Sequence, residues 1–305
     1  EKTVVLKRLH PEHTRDAELL AMFLDEARLM ARLRHPNIAE VYDIGHEGGE
    51  YFFTMEHVPG EDVREVLRFL AGAPLPLPHA LTIVARAARG LAHAHALEDA
   101  EGRPLGIVHR DVSPSNLIVT PGGAVKLIDF GVAKWAAQRS ETRHGTLKGK
   151  VAYMSPEQCR AEALDGRSDV FALGVMLYEL TTGVRPFDGA SDFEILNAIV
   201  HGTPQPPSAR RADYPARLEA IVLKALARDR QERWESAAAL ATALEELAAA
   251  EGLAIGEESL AVYLRQLFGQ DPAAWPSTDR VATPSGVMAP PRPQASPERT
   301  LTDVP

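Results

Sequence analysis

Residues 107–119 read IVHRDVSPSNLIV, and residues 126–131 read KLIDFG. In both segments a polar, Asp-bearing stretch adjoins short apolar runs, which is typical of strand ends that present polar side chains. Asp111 and Asp129 are eighteen residues apart, and Asn116 lies between them. Phosphoryl transfer needs a carboxylate that accepts or orients a hydroxyl proton, and it needs oxygen ligands for a divalent cation. Asp111 suits the first role, and Asn116 and Asp129 suit the second.

The composition of the 305 residues excludes several classes of protein. Hydrophobic residues make up 45% of the chain and charged residues 25%, which are ordinary values for a globular protein with a sizeable core. Acidic residues outnumber basic residues by 42 to 33, and the net charge of −9 argues against a nucleic-acid partner. The single cysteine, Cys159, excludes an internal disulfide and a cysteine-based metal site.

Two further absences bear on localisation. No apolar run reaches membrane-spanning length, and no signal-peptide pattern follows Glu1. We therefore expect a cytoplasmic chain without a membrane segment. Membrane tethering of a longer parent protein, through a segment beyond Pro305, stays open.

The first part of the chain is expected to be rich in β-strands. The β-branched and apolar run Thr3–Leu9 predicts a strand, and the helical spacing of apolar residues in Arg15–Leu33 predicts a helix. Two more strands are predicted at Ile38–Ile44 and Glu50–Met55, around a turn at Gly45–Gly49.

From Glu61 onward helical patterns dominate. The run Asp169–Thr182 is apolar almost all round, which predicts a buried central helix closed by Gly183. Further helices are predicted at Pro78–Leu97, Asp192–His201, Pro215–Arg228, Ser236–Ala250 and, from an apolar stripe, Leu260–Phe268. A small β-rich part followed by a larger helical part indicates an α+β protein with two lobes.

These patterns divide the chain into four parts. Residues 1–58 are expected to form the small lobe, residues 59–250 the larger lobe, and residues 251–271 an additional C-terminal helix. Eight of the 23 prolines fall within residues 272–305, which lack apolar periodicity. This last part is therefore predicted to be a disordered tail or linker.

With these motifs in this order, the sequence resembles the protein kinases, specifically the bacterial serine/threonine kinases of the eukaryotic (Hanks) type. The resemblance covers roughly Thr3 to Ala250. It implies a bilobal protein kinase-like fold, with a small β-rich N-lobe and a larger α-helical C-lobe. It also implies ATP and Mg²⁺ as cofactors, a protein substrate, and transfer of the γ-phosphate to serine or threonine hydroxyls in bacterial signalling.

The resemblance also assigns roles to individual residues. The catalytic and metal-binding residues would be Lys7, Glu26, Asp111, Asn116 and Asp129. Lys7 would hold the α and β phosphates and pair with Glu26. Adenine and ribose would be contacted by Val5, Met55 as the gatekeeper, the backbone of Glu56 and Val58, Asp62 and Ile118. Two structural pairings are implied as well, Glu157 with Arg233 and Asp169 with the catalytic loop.

Two departures from the family pattern are linked. The family usually places a lysine two residues after the catalytic aspartate, where this chain has Ser113. It usually places a threonine seven residues before the glutamate at position 157, where this chain has Lys150. We hypothesise that Lys150 reaches toward Asp111 and the γ-phosphate and replaces the missing lysine, where a cation offsets transition-state charge. The alternative is that Lys150 is a solvated loop residue.

The segment after the second motif offers candidate regulatory sites. Arg110 corresponds to an arginine that often binds a phosphate on this segment in the family. Ser140, Thr142 and Thr146 are the candidates, because a phosphate on one of them would order the segment through charge-assisted hydrogen bonds. The same side chains are equally compatible with plain polar loop positions.

The glycine-rich loop that covers ATP in the family does not precede Lys7. We expect that two strands and this loop are missing, and that residues 1–305 alone bind ATP weakly and have little or no activity, while a longer parent protein is active.

Two other functional classes stay open from the sequence. A pseudokinase, acting as a scaffold or binding module, is favoured by Ser113 and by the absent loop. A small-molecule kinase of related fold is the second alternative. The segment Ser155-Pro156-Glu157 and the start of the central helix at Ser168 favour a protein substrate instead.

Overall fold

The structure is a computed structural model and describes residues 2–9, 14, 16–130, 150–272 and 275. Its first part is an antiparallel sheet of strands β1 (Val4–Arg8), β2 (Val41–Glu47) and β3 (Glu50–Glu56), in the order β1-β3-β2. The predicted strands are confirmed, but the turn between β2 and β3 is shorter than expected. Strand β2 continues through Glu47, and only Gly48 and Gly49 form the turn, because this tight connection needs the positive φ angles of 60° and 85° that glycine adopts without strain.

Helix α1 (Ala17–Met30) packs on this sheet and carries Glu26. The side chain of Asp16 caps its N-terminus by accepting hydrogen bonds from the backbone N–H groups of the first turn. Its apolar face is buried, and the rings of Phe23 and Phe53 lie 5.3 Å apart. This packing fixes the rotation of α1, so that Glu26 faces β1 with only 2% of its surface exposed.

The second part of the chain is mainly helical. It contains a short sheet with the strand order β4-β5-β6, formed by β4 (Glu61–Asp62), β5 (Leu117–Val119) and β6 (Val125–Leu127). The described helices that follow β4 are α2 (Val63–Leu70), α3 (Leu77–His95), α4 (Pro156–Cys159), α5 (Gly166–Thr182), α6 (Asp192–His201), α7 (Ala216–Ala225), α8 (Ala237–Ala250) and α9 (Glu257–Phe268). None of the helices among these described residues is both long and apolar enough to cross a membrane.

Helix α5 is the central helix that the sequence predicts. It is buried on nearly every side and packs against α3 and α7. It ends at Gly183, whose φ of 78° is the left-handed conformation expected of a C-terminal cap. Because its first turn lies beside the catalytic loop, α5 connects the core of the larger lobe to the site.

The two parts have separate apolar cores, and the predicted bilobal α+β architecture is confirmed. Helix α9 belongs to the core of the larger lobe, because Leu260 and Leu264 are fully buried in the same cluster as α3 and α5. Trp275, which the sequence-based boundary places in the tail, is also buried there, and its ring lies tilted against that of Phe268 with the centroids 5.3 Å apart. Residues 273–274 and 276–305 of the predicted tail lie outside the described residues.

Candidate active site

The loop that carries Asp111 is anchored by Asp169, which lies in the first turn of α5. The two carboxylate oxygens of Asp169 accept hydrogen bonds from the backbone N–H groups of His109, at 2.8 Å, and Arg110, at 3.0 Å. Nε2 of His95 lies 2.8 Å from the same carboxylate. Burial raises the pKa of Asp169, but hydrogen bonds and positive charge from His95 and His109 outweigh burial and lower it below its ordinary value. The predicted bracing of the loop by Asp169 is confirmed.

Asn116 fixes the carboxylate of Asp111. Its amide nitrogen donates to the backbone carbonyl of Asp111 at 2.6 Å and to Oδ2 of Asp111 at 2.9 Å. The backbone of Asn116 is anchored in turn, because its carbonyl accepts from the N–H of Ile128 at 3.0 Å. Since the amide nitrogen faces Asp111, the amide oxygen faces away from it and is an available hard ligand.

The donor set of the site fits Mg²⁺. Asn116 and Asp129 supply an amide oxygen and a carboxylate, which is the kind of small oxygen set that Mg²⁺ completes with substrate phosphates. Among the described residues, no group of three or more His, Cys, Asp or Glu side chains could hold a metal by itself. A metal here would therefore depend on the nucleotide for the rest of its ligands.

Lys7 lies between two carboxylates at the junction of the lobes. Its Nζ is 3.1 Å from Oε1 of Glu26 and 3.2 Å from Oδ1 of Asp129. Burial lowers the pKa of Lys7, but the charges of Asp129 and Glu26 outweigh burial and hold it above its ordinary value. Lys7 is therefore a permanent cation, and the contact with Glu26 expected from the sequence is confirmed.

Phe130 joins Asp129 to the core of the small lobe. Its side chain is fully buried in the cluster that includes the apolar face of α1, and its ring lies 4.4 Å from that of His109.

Asp129 has a φ of 55° and Arg110 a φ of 66°, a left-handed conformation that is costly for residues with a Cβ. Such strain persists only where surrounding contacts fix it, so both loops are held in one arrangement.

Lys150, which precedes α4 in the chain, contacts the carboxylate of Asp111. Its Nζ lies 2.9 Å from Oδ2 of Asp111, so the predicted approach of Lys150 to Asp111 is confirmed. Ser113 is buried, and its hydroxyl is bonded to that of Ser115 at 3.1 Å. The side chain at position 113 of the catalytic loop is thus neutral. The ammonium group beside Asp111 belongs to Lys150, which lies outside this loop.

The residues expected to contact the nucleotide base line the junction between β3 and the larger lobe. Met55 and Val58 are buried, at 4% and 5% exposure, while Val5 and Ile118 are half-buried against the same apolar cluster. The N–H of Glu56 donates to the carbonyl of Glu40 at 2.7 Å. The structure brings these residues together, but their contacts with a nucleotide stay a prediction.

Other polar contacts adjoin this junction. Lys126 lies 2.8 Å from the carboxylate of Glu56 and ties the end of β3 to β6. Asp62 caps the N-terminus of α2 by accepting from the N–H of Glu65 at 2.8 Å, and its other oxygen lies 3.1 Å from Arg64. Its predicted contact with ribose is not tested by this geometry.

A buried ion pair supports the site from α4. The carboxylate of Glu157 accepts two hydrogen bonds from Arg233, at 2.7 and 2.8 Å, and one from the hydroxyl of Ser168 at 2.6 Å. This confirms the pairing expected from the sequence. Gln158, next along the chain, donates from Nε2 to the carbonyl of Arg110 at 2.8 Å. Helix α4 is thereby attached both to α5 and to the catalytic loop.

Three residues of this framework were not predicted to contribute to it. They are His95, which contacts Asp169, Gln158, which contacts Arg110, and Lys126, which contacts Glu56. Each contact joins residues 48 to 74 positions apart, and no short motif signals it. The candidate phosphorylation sites Ser140, Thr142 and Thr146 lie outside the described residues.

Lys7 pairs with Glu26 and Asp129, and Asp169 anchors the loop that carries Asp111. The pairing with Glu26 and the anchoring by Asp169 are those that the resemblance implies. The family model for the protein kinase domain matches residues 1–244, and the chain belongs to this family.

The chain is similar to several curated bacterial kinases. It is 45% identical over 274 residues to the tyrosine-protein kinase MasK of Myxococcus xanthus, covering 89% of this chain and 42% of MasK. It is 37% identical to the serine/threonine-protein kinase PrkC of Bacillus subtilis, covering 78% of this chain and 35% of PrkC. Identity to the serine/threonine-protein kinase PknB of Mycobacterium tuberculosis is also 37%, over 78% of this chain and 37% of PknB. The chain thus spans less than half the length of these three relatives.

The fold is also similar to a solved structure. The crystal structure of the PknI kinase domain of M. tuberculosis matches with a TM-score of 0.60 and 31% sequence identity, over 81% of this chain and 85% of the PknI domain. The similarity extends across both lobes, since it covers most of each chain.

Proposed function

We propose that this protein is a serine/threonine protein kinase that transfers the γ-phosphate of Mg-ATP to protein hydroxyls in bacterial signalling. The observation that carries the proposal is the position of Lys7, whose Nζ lies within 3.2 Å of both Glu26 and Asp129. Lys7 and Asp129 belong to different lobes and are 122 positions apart. This contact supports the proposal, because Lys7 would face the phosphates and Asp129 would bind the metal at the same point.

In the proposed reaction Asp111 accepts or orients the proton of the substrate hydroxyl. The hydroxyl oxygen forms a bond to the γ-phosphorus, while the bond from that phosphorus to the β–γ bridging oxygen breaks. The electron pair of the broken bond stays on ADP, and the hydroxyl proton passes to the carboxylate of Asp111. Asn116 holds Asp111 in place, because its amide nitrogen donates one hydrogen bond to the backbone carbonyl of Asp111 and one to the carboxylate.

The other residues of the site position the nucleotide. Lys7 would contact the α and β phosphates, with Glu26 fixing the direction of its side chain. Asn116 and Asp129 would hold Mg²⁺, which neutralises phosphate charge when it is bound. Val5 and Ile118 would enclose the adenine ring, and the backbone of Glu56 and Val58 would bond to its edge. The reaction would take place in the cytoplasm.

The choice of serine and threonine over tyrosine is the finer part of the proposal. The relatives PrkC and PknB are named serine/threonine-protein kinases, whereas MasK is named a tyrosine-protein kinase. The sequence Ser113-Pro114-Ser115 supports the first group by resemblance, because tyrosine kinases usually carry AAR at this position.

The test is phosphate transfer by the full-length protein from radiolabelled Mg-ATP to a generic basic protein, followed by phosphoamino acid analysis. We expect phosphoserine and phosphothreonine, and we expect Asp129→Asn to abolish transfer. The matched control is Asp188→Asn, which removes an exposed carboxylate far along the chain from the site. This variant should retain full activity.

The remaining outcomes separate the alternatives. Phosphotyrosine alone would keep the kinase activity and overturn the serine/threonine specificity. Nucleotide binding without transfer to any acceptor would favour a pseudokinase. Transfer to a small alcohol or aminoglycoside, with none to protein, would favour a small-molecule kinase.

A further inference from the structure

Lys150 is the cation that the structure brings to the carboxylate of Asp111. The Lys150 Nζ to Asp111 Oδ2 distance is 2.9 Å, with 38% of the lysine side chain and 18% of the aspartate side chain exposed. Oδ2 of Asp111 also accepts the hydrogen bond from Asn116. The ammonium group therefore lies at the edge of the site, where solvent and substrates have access to it.

The catalytic loop has no cation of its own at the corresponding place. Ser113 is 2% exposed, and its hydroxyl is paired with that of Ser115. The ammonium group of Lys7 is bonded to Glu26 and Asp129, so its charge is shared with those two carboxylates. Without Lys150, Asp111 would keep the described hydrogen bond from the amide of Asn116, but its carboxylate would lose the positive charge of the Lys150 ammonium group.

The backbone that follows Lys150 is firmly anchored. Val151 and Ala152 are buried in the core of the larger lobe, and the hydroxyl of Tyr153 is bonded to the carboxylate of Glu179 in α5. Further on, Gln158 is bonded to the carbonyl of Arg110 in the catalytic loop. Segment 150–158 is thus bonded through Tyr153 to α5 and through Gln158 to the catalytic loop.

From this geometry we infer that Lys150 is a catalytic residue whose ammonium group contacts the transferring phosphoryl group, and that turnover depends on the docked position of segment 150–158. The inference rests on the proposed function and adds to it. Lys150 exchanges no proton in the reaction; its N–H groups donate to phosphoryl oxygens and offset their charge in the transition state. Because the charge comes from a segment outside the catalytic loop, displacement of segment 150–158 would remove it from the site.

The first experiment measures steady-state kinetics of the full-length protein with Lys150→Met, Lys150→Arg and Lys224→Met. Lys224 is the matched control, because it is an exposed lysine on α7 whose ammonium group lies over the ring of Trp234, 4.0 Å from the ring centroid. We expect Lys150→Met to lower kcat by about 100-fold, the effect of removing one donor that acts in the transition state, with KM for ATP changed by less than about threefold. Lys150→Arg should retain part of the activity, and Lys224→Met all of it.

The second experiment relocates the charge. The double variant Ser113→Lys/Lys150→Thr places a lysine in the catalytic loop and removes the one at position 150. We expect it to recover at least about tenfold of the kcat that Lys150→Thr alone loses, because the same charge reaches the same phosphoryl group from another backbone position. A purely structural role of Lys150 would not be rescued in this way.

The dependence on docking is tested with Tyr153→Phe, which removes the bond to Glu179. In the otherwise natural sequence we expect this change to lower kcat, and in the relocated double variant we expect a clearly smaller loss. Equal losses in both backgrounds would overturn the dependence on docking.

The outcomes distinguish the inference from the proposed function. Phosphate transfer by the natural sequence, with an unchanged kcat in Lys150→Met, would overturn the inference and leave the kinase proposal intact. Absence of transfer by the natural sequence would contradict the proposed function itself. A folded Lys150→Met variant is verified by an unchanged melting temperature.

Discussion

At the scale of single residues, three charged side chains in and around the site each have several partners. Glu157 has Arg233 and Ser168, Asp169 has two backbone N–H groups and His95, and Lys7 has two carboxylates. A buried charge with so many partners is costly to disrupt, because removing one group leaves another without compensation. These residues therefore bear on stability as well as on the site.

The ion pair between Glu157 and Arg233 makes the free energy of unfolding depend on pH in the acid range. Burial raises the pKa of Glu157, but hydrogen bonds from Arg233 and Ser168 outweigh it and lower the pKa to about 2 from the ordinary 4.5. The folded state then binds fewer protons than the unfolded state between these two values. The stabilisation is fully present above pH 4.5 and is lost as the pH falls toward 2.

We predict that Glu157→Gln lowers the free energy of unfolding at neutral pH by about 3 kcal/mol, because the guanidinium of Arg233 loses its buried counter-charge. The difference between the natural sequence and the variant should shrink as the pH falls from 4.5 toward 2. Denaturant unfolding at a series of pH values measures both effects.

The exposed Glu232→Gln is the matched control, since it changes the net charge by the same amount. It should leave the unfolding free energy within about 0.5 kcal/mol at every pH. A difference for Glu157→Gln that stays constant from pH 7 to 2 would contradict the assigned pKa.

The sequence predicts these residues unequally. Asp111, Asn116 and Asp129 stand in short motifs whose residue types match one chemical task, and the family resemblance adds Lys7 and Glu26, so their juxtaposition could be expected. His95 and Gln158 could not be identified, because histidine and glutamine occur freely on helix surfaces. Only the fold determines that a carboxylate and a carbonyl lie beside them.

At the scale of elements, an ordered hairpin connects α3 to the catalytic loop and reaches the small lobe. The hairpin covers residues 96–106 and is closed by the bond from the Leu105 N–H to the Leu97 carbonyl, at 2.9 Å. Leu97 and Leu105 pack against the core of the small lobe, which includes α1. Arg32, just after α1, donates to the carbonyl of Glu98 at 2.7 Å. The hairpin therefore braces the C-terminal end of the helix that carries Glu26.

We predict that replacing residues 98–104 with Asn-Gly weakens this brace. The two-residue turn keeps the bond between Leu97 and Leu105 and favours a tight hairpin. The positive φ that such a turn requires at Asn is expected to redirect the carbonyl after Leu97, so that Arg32 no longer bonds to it. Loss of one hydrogen bond, worth roughly 1 kcal/mol, should speed amide exchange in the last turns of α1 and lower kcat by about threefold to tenfold. Hydrogen exchange and steady-state kinetics measure these effects.

Two arginine variants distinguish the brace from a general effect on α1. Arg32→Leu should reproduce part of the faster exchange. Arg28→Leu should have little effect, because the ion pair that Arg28 forms among the described residues joins it to Asp25, and both side chains are about two-thirds exposed. Equal effects of the two variants would exclude the hairpin as a brace.

The boundaries of elements were predicted less well than their existence. Strand β2 was expected to end at Ile44, but it pairs with β3 through Glu47. The reason is that β3 supplies hydrogen-bonding partners for His46 and Glu47, whose side chains carry no strand signal of their own. Helix α5 similarly begins at Gly166, earlier than its apolar run, because Asp165 caps it.

At the scale of the whole molecule, α9 extends the larger lobe beyond the part matched by the family model. The model match ends at residue 244, whereas Leu260 and Leu264 lie in the same core as α3 and α5. Phe268 also contacts Phe69 of α2, with ring centroids 4.9 Å apart. The sequence predicted this helix from its apolar stripe but not its partners, because the stripe shows which face is buried and not against what.

We predict that Leu264→Ala lowers the free energy of unfolding by about 2 to 5 kcal/mol, the usual result of truncating a fully buried leucine. The matched variant Val262→Ala lies on the same helix at a position that is 46% exposed and should change it by less than about 0.5 kcal/mol. At about 2 to 4 °C per kcal/mol for a domain of this size, Leu264→Ala should melt at least about 3 °C below Val262→Ala. Both variants should unfold in a single transition for the larger lobe. If α9 were a separate appendage, Leu264→Ala would leave that transition unchanged. A lower melting temperature with an unchanged KM for ATP would show that α9 stabilises the lobe without contributing to the nucleotide site.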